Sequence, residues 1–256
     1  MKNHHVRISV CMATYNGERY ILPQLYSILR QLSSEDEIVI SDDGSKDNTI
    51  NLIKSISDPR IRIIKNVGPH GYTYNFENAL CHASGKYIFL SDQDDIWMDN
   101  KVEYMLNALK TYDFLVSNAN LINSDGNLIA DSYFNMRKPN RSFVGNILKC
   151  GYLGCCMAFK RCVLEKALPF PKDHVMCLHD NWLFLVGKFF FKTLIIKEKL
   201  ISYRRHSTNV SSGGFMNTTT VWFKVKYRLY LLMQLFLRVN KPHEDPCEGR
   251  QPSTVL

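Results

Sequence analysis

The chain has 256 residues, of which 45% are hydrophobic and 22% charged, and a formal net charge of +8. This length holds one large α/β domain or two lobes on a shared core, and the composition excludes a chain disordered through its bulk. The positive surplus favours an anionic partner, whether nucleic acid, an acidic membrane surface or a phosphorylated substrate, and does not choose among them.

The eight cysteines form no C-x-x-C pair, and Cys155 and Cys156 are adjacent. That spacing suits neither a disulfide framework nor a zinc site. They read as reduced core thiols, as in a cytosolic chain. The first residues, MKNHHVRISVCMATYNG, lack the apolar segment of a signal peptide, and no uninterrupted apolar run is long enough to span a bilayer.

In chain order, Val6–Met12 reads as a buried strand ending near the Asn16-Gly17 turn. Ile21, Leu25, Ile28, Leu29 and Leu32 recur at helical spacing. Ile38–Ile40 is a second strand, closed by Ser41-Asp42-Asp43-Gly44-Ser45. Asp47 then caps a helix bearing Ile50, Ile53 and Ile56. A third strand at Ile61–Ile64, a helix around Phe76–Ala83, a fourth strand at Tyr87–Leu90 and a helix from Val102 to Leu109 follow. This alternation predicts a mostly parallel sheet with helices on both faces. Beyond a strand at Phe114–Val116 the regularity fades, and residues 118–141 read as loop and short hairpin. Gly151–Phe159 is a strand, a helix starts near Asp180, and Leu194–Ile196 and Leu200–Tyr203 are strands.

Val221–Val239 is a separate amphipathic helix, with Lys224, Arg228 and Arg238 on one stripe and Lys226 apart from them. It either packs on the core or lies on anionic lipid. Residues 240–256 turn abruptly polar and Pro-rich and read as a disordered tail.

Open α/β sheets bind ligands at the carboxyl ends of their strands, where Asp42-Asp43 and Asp92-Gln93-Asp94-Asp95 both fall. Carboxylates on such a turn can hold Mg²⁺ or Mn²⁺ against two phosphates. Either cluster alone reads more readily as an ordinary capping turn, and Asp95 in particular reads as a cap of the helix that follows. A dehalogenase-type phosphatase would need an aspartate where Ser41 stands, which argues against that class.

The order of the pieces carries more than any one of them. Ala13-Thr14-Tyr15-Asn16-Gly17-Glu18 follows the first strand, Asp42-Asp43-Gly44-Ser45 the second, Asn66-Val67-Gly68 with Asn75 the third, and Ser84–Asp95 contains the fourth. This series resembles the family 2 glycosyltransferases of the GT-A fold over about Val6 to Asn209. Phe89–Trp97 and His206–Asn209 look most like the bacterial rhamnosyltransferase-type members that build surface polysaccharides.

The resemblance implies an inverting, metal-dependent hexosyltransferase. Its donor would be a dTDP- or UDP-linked sugar, such as rhamnose, and its acceptor a glycan or lipid-linked glycan. It implies that Thr14, Tyr15, Asn16 and Glu18 line the nucleotide pocket, and that Asp42, Asp43, Asn75 and Asp92 contact the nucleotide. Asp94 would be the direct metal ligand, with Asp92 and His206 beside it, and Arg204 would hold the departing phosphates. Asp180 would be the base, in a Glu-Asp position where His179 replaces the Glu. Many members carry Arg-Asn where this chain has Tyr74-Asn75, which leaves one nucleotide contact open.

Residues 1–110 would then form the nucleotide-sugar half, 111–215 the acceptor half, 216–239 the C-terminal helix and 240–256 the tail. The expected location is cytoplasmic, at the inner face of the membrane, with no nucleic-acid partner. A nucleotidyltransferase would need a Gly-rich basic loop where only Gly17 stands, and a non-catalytic scaffold would not need the retained aspartates.

Overall fold

The structure, a computed structural model, describes residues 6–206 and 220–239. Its frame is one nine-stranded mixed sheet of order β3-β2-β1-β4-β8-β6-β9-β5, with β7 paired to β6. The first four strands, β1 (Ile8–Thr14), β2 (Glu37–Asp42), β3 (Ile61–Lys65) and β4 (Tyr87–Ser91), are parallel, as the alternating pattern predicts. Strand β1 is almost wholly buried, as its unbroken apolar run requires of a central parallel strand. The chain winds outward from β1 to β2 and β3, then returns to β4 on the other side of β1. That reversal opens a crevice at the carboxyl ends of β1 and β4.

The helices follow the apolar spacing. Helix α1 (Ile21–Leu29) buries Ile21, Leu25, Ile28 and Leu29. Pro23 sits in its first turn, where a missing N–H leaves no intrahelical bond unmade. Helix α2 (Thr49–Ser55) starts beside Asp47, whose Oδ1 accepts from the Thr49 N–H at 3.0 Å. Helix α3 (Tyr72–Cys81) begins after Gly71, at φ 142°, a conformation that favours glycine. Helix α4 spans Lys101–Leu109.

The second half of the sheet differs from the sequence reading. Strand β6 (Phe114–Ile122) runs well past Val116, and its polar Asn118 and Asn120 stay in the sheet because β9 pairs with them. Strand β9 (Thr193–Arg204) is continuous where two strands are expected. The exposed Lys197-Glu198-Lys199 stretch that suggests a break coincides with register shifts opposite Asn118, which donates to the Lys197 carbonyl. Short strands β5 (Ile96–Trp97), β7 (Leu128–Ala130) and β8 (Met157–Lys160) complete the sheet, the last preceded by a 3₁₀ turn at Gly154–Cys156.

Three short helices fall where no helix is expected: α5 (Tyr133–Arg137), α6 (Phe143–Leu148) and α7 (Arg161–Ala167). Helix α8 spans His179–Phe190 and α9 spans Val221–Val239. Helix α9 buries Leu231 and Leu235 against the core. Two residues of its cationic stripe face the protein. Arg238 donates to the Leu168 carbonyl at 2.6 Å and to that of Pro169, and Arg228 donates to the Leu148 carbonyl at 2.6 Å. Among the described residues no helix is long and apolar enough to cross a membrane, and the seven described cysteines are free thiols. The expected tail at 240–256 and Asn209 lie outside the described residues.

Candidate active site

The loops after β1 and β2 lock together. The buried Asp42 carboxylate accepts from the N–H groups of Gly44 (3.0 Å) and Ser45 (2.9 Å), the Ser45 hydroxyl (2.5 Å) and the buried Thr14 hydroxyl (3.2 Å). It shapes its own turn, the capping role open in the sequence. Asn16, in the left-handed region at φ 48°, accepts from the Lys46 N–H, and Glu18 accepts from the Asn48 N–H, both at 2.8 Å. Thr14, Asn16, Glu18 and Asp42 thus make the floor rigid through bonds within the two loops.

The exposed wall above that floor is aromatic. The Tyr15 ring meets His70 edge-on at 4.7 Å, and His70 Nδ1 lies 2.8 Å from an Asp43 oxygen. Asp43 also accepts from the Gly71 N–H (2.8 Å) and Asn66 Nδ2 (2.7 Å). Sequence reasoning missed His70, and its signal was a lone imidazole between Gly68 and Gly71 in the loop that already supplied Asn66. Asn75 is buried with its Nδ2 on the Thr14 carbonyl at 3.0 Å, and its Oδ1 has no partner among the described residues.

Gln93 joins this wall to the acidic turn. Its Oε1 accepts from the Tyr15 N–H at 2.9 Å and its Nε2 donates to the Tyr15 carbonyl at 3.0 Å. Beyond it, ligand atoms of Asp92, Asp95 and Cys155 lie within 4.8 Å of one another. Burial, then the charge of Asp94, pushes the Asp92 carboxyl up to about 7, and Asp180 adds to the rise.

Asp95 is fully buried, not the cap of α4, which starts six residues later at Lys101. Its Oδ1 accepts from the Arg204 N–H at 2.8 Å, and its Oδ2 has no partner among the described residues. Burial, then Asp94 and Asp92, holds this carboxyl well above the usual range. The buried Lys101 ammonium stands nearby, 2.8 Å from the Cys155 carbonyl and 4.3 Å from the Trp97 ring centroid. Asp94 Oδ2 lies 2.7 Å from His206 Nε2, and the His206 ring lies 4.9 Å from that of Tyr20.

Arg204 has a different setting from the one expected. It is buried, with its guanidinium on the carbonyls of Asp94 (2.7 Å), Asn123 (3.0 Å) and Ser124 (3.1 Å), so it frames the acidic turn from behind.

Asp180 sits half-buried in the first turn of α8, accepting from the Asn181 N–H at 2.7 Å. Its charge raises both Asp92 and Tyr72, which puts it on the same side as the acidic cluster. His179 packs inward, stacked on Phe76 at 4.2 Å. Burial lowers its pKa, so it is a neutral ring pinning α8 to α3.

This donor set suits a hard divalent cation. Asp92 and Asp95 crowd together, the latter with an unpartnered oxygen, and the charge of Asp94, which pairs with the His206 imidazole, acts on both. Of the three expected ligands, Asp92 lies in the tight group with Asp95 and Cys155, and Asp94 and His206 pair with each other. Cys155 reaches the same cluster, but its hydrogen bond with Cys156, then burial, holds its thiol well above the ordinary value, so it remains protonated and can donate to the carboxylates.

Residues 9–168 match the model of glycosyl transferase family 2. The chain belongs to that family. Among curated relatives of this glycosyltransferase is the Escherichia coli UDP-Glc:alpha-D-GlcNAc-diphosphoundecaprenol beta-1,3-glucosyltransferase WfgD. It is 29% identical over 231 residues, covering 84% of this chain and 83% of the relative. The dTDP-rhamnosyl transferase RfbG of Shigella flexneri is 29% identical over 240 residues, covering 85% and 77%. Among solved structures, S. aureus TarS 1-349 in complex with UDP-GlcNAc superposes with a TM-score of 0.67 at 16% identity, covering 93% of the transferase and 68% of that chain. At that identity the likeness speaks for the fold.

Proposed function

We propose that the chain transfers a hexose or deoxyhexose from a UDP- or dTDP-linked donor to a hydroxyl of a glycan carried on a lipid diphosphate, with inversion, in surface polysaccharide synthesis at the inner face of the membrane. The observation that carries this reading is the grouping of Asp180 with Asp92 and Asp94, next to the Tyr15–His70–Asp43 wall. The two relatives' names, one a glucosyltransferase onto a diphosphoundecaprenol-linked sugar and the other a rhamnosyl transferase, supply the donor and acceptor classes.

The base of the donor would rest against Tyr15 and His70, with Asp43 fixing the imidazole. Asp92, Asp94 and His206 would hold Mg²⁺ or Mn²⁺, which supplies positive charge to the diphosphate. Asp180 takes the proton of the acceptor hydroxyl as its oxygen bonds to the anomeric carbon. The bond from that carbon to the diphosphate oxygen breaks on the opposite face, and its electron pair leaves with the diphosphate. One in-line displacement of this kind inverts the centre.

The test is transfer from UDP-glucose and from dTDP-rhamnose to a synthetic GlcNAc-diphospholipid, with Mn²⁺ or with EDTA. Transfer should require the cation. Asp180→Asn should lower kcat by about 10²–10⁴-fold with KM little changed. Undiminished turnover by that variant would reject the assignment of the base.

A further inference from the structure

Helix α9 carries four cationic residues, Lys224, Lys226, Arg228 and Arg238, and no acidic one. Two of the cations are turned inward. Arg238 is buried on the carbonyls of Leu168 and Pro169 and lies over the Trp182 ring, and Arg228 holds the end of α6. These cations share the core-facing side with the buried Leu231 and Leu235, and the remaining large apolar residues face out.

That is what the exposures record. Trp222 is 76% exposed, Leu229 62%, Met233 50% and Phe236 68%, and their spacing puts them on one stripe with Val225. Lys226 is exposed in the same half of the helix. Leu148, at the α6 end held by Arg228, is 56% exposed, and Lys149 follows it on the surface. An apolar stripe this long on a chain of net charge +8 invites burial. With an exposed Trp near its start, cations at its flank and no carboxylate, it matches a surface that is apolar within and anionic outside.

We propose that this outer face of α9 docks in the plane of an anionic lipid bilayer, and that the docking sets the catalytic cleft beside the membrane. The inner face supplies the second half of the statement. Tyr227 is hydrogen-bonded to Asn181, the neighbour of Asp180, and the Tyr230 hydroxyl accepts from the Asp173 N–H at 3.2 Å in the loop leading to α8. The helix that meets lipid therefore also holds the start of the helix bearing the base. This second half rests on the reading of Asp180 given above, whereas the docking itself does not.

The chain has three tryptophans, and Trp97 and Trp182 are fully buried, so lipid-dependent change in emission reports on Trp222. The full chain is mixed with vesicles of phosphatidylcholine, with and without phosphatidylglycerol, some carrying brominated acyl chains. We expect a blue shift and bromine quenching that grow with the anionic lipid. Leu229→Asp with Phe236→Asp should weaken partitioning by about a hundredfold or more, since two large apolar side chains lose their burial. Both positions are exposed, so the melting temperature should be unchanged. Lys226→Glu, which leaves the apolar stripe intact, should weaken binding to the anionic vesicles by about tenfold.

Three results would overturn the proposal: no response of Trp222 to any vesicle; a Trp222 already shielded from acrylamide in the lipid-free monomer, which would mean that the chain covers this face itself; or sedimentation showing a dimer whose dissociation exposes Trp222. Vesicle binding needs neither donor nor acceptor. A negative result here leaves the transferase reading intact, and failed turnover leaves this one intact.

Discussion

Gln93 grips the main chain of Tyr15 from both sides, and the grip depends on a missing side chain. A Cβ on Gly17 would stand 2.3 Å from Gln93 Oε1. Gly17→Ala therefore pushes Gln93 off both Tyr15 groups while leaving the buried strands untouched. Two hydrogen bonds at about 1 kcal/mol each predict a loss of nucleotide affinity of about tenfold or more. Titration calorimetry against UDP and dTDP measures it, and circular dichroism should show an unchanged fold.

The same residues show what a sequence can disclose at this scale. The side chains of the Ala13–Glu18, Asp42–Ser45 and Asp92–Asp95 clusters were legible as a series because each lies at a strand's carboxyl end. Their division of labour was not. Asp42 and Asp43 are identical and adjacent, yet one closes its own turn and the other holds His70, because successive residues leaving a strand point to opposite sides. Arg204 was chosen for its charge, and only the fold shows three carbonyls waiting for its guanidinium.

Among elements, α9 shows most clearly how packing assigns a face. Its sequence admits either a core helix or a lipid-facing one, and the inward turn of Arg238 packs one face on the core while large apolar residues of the other stay exposed. Replacing Arg238 by Met removes the donor from the carbonyls of Leu168 and Pro169 and should cost about 1–3 kcal/mol. Urea unfolding should show a lower midpoint with an unchanged slope, and an unchanged midpoint would mean that the clamp contributes nothing.

The elements missed in the sequence share a physical reason. Helices α5 and α6 have five and six residues, too few for an apolar stripe to repeat. Their caps were readable: Ser132 accepts from the Asn135 N–H and Ser142 from the Gly145 N–H. The long strands β6 and β9 were cut short because their polar middles lack period-two alternation, which backbone pairing overrides.

On the scale of the whole molecule, the sheet concentrates negative charge at one edge of a basic protein. The raised carboxyls of Asp92 and Asp95 give the acidic cluster its own pH dependence. Their folded pKa values lie above the unfolded value of 3.8, with Asp92 at about 7. At these two groups the native state therefore holds more protons than the unfolded chain, and their contribution to metal-free stability falls as pH rises from about 4 to about 7, while the buried, neutral His179 contributes the opposite slope below its unfolded value. A divalent cation that neutralises the cluster should raise the melting temperature more at pH 8 than at pH 5. Thermal unfolding with Mn²⁺ or EDTA at both values checks this, and Asp94→Ala should remove the difference.

The acidic turn has a topological consequence. Strand β4 lies in the middle of the sheet and β5 at its far edge, so Asp92–Asp95 carry the chain from one to the other. Ile96 and Trp97 follow directly on the four parallel strands in sequence, yet among the described residues their strand partners are Ser202 and Ile201, more than a hundred residues on. A fragment ending near residue 110 would leave the indole of Trp97 in water and strip β9 of its outer neighbour. The sheet is woven rather than hinged at this point: a split near residue 110 would need both pieces to find each other before either could close.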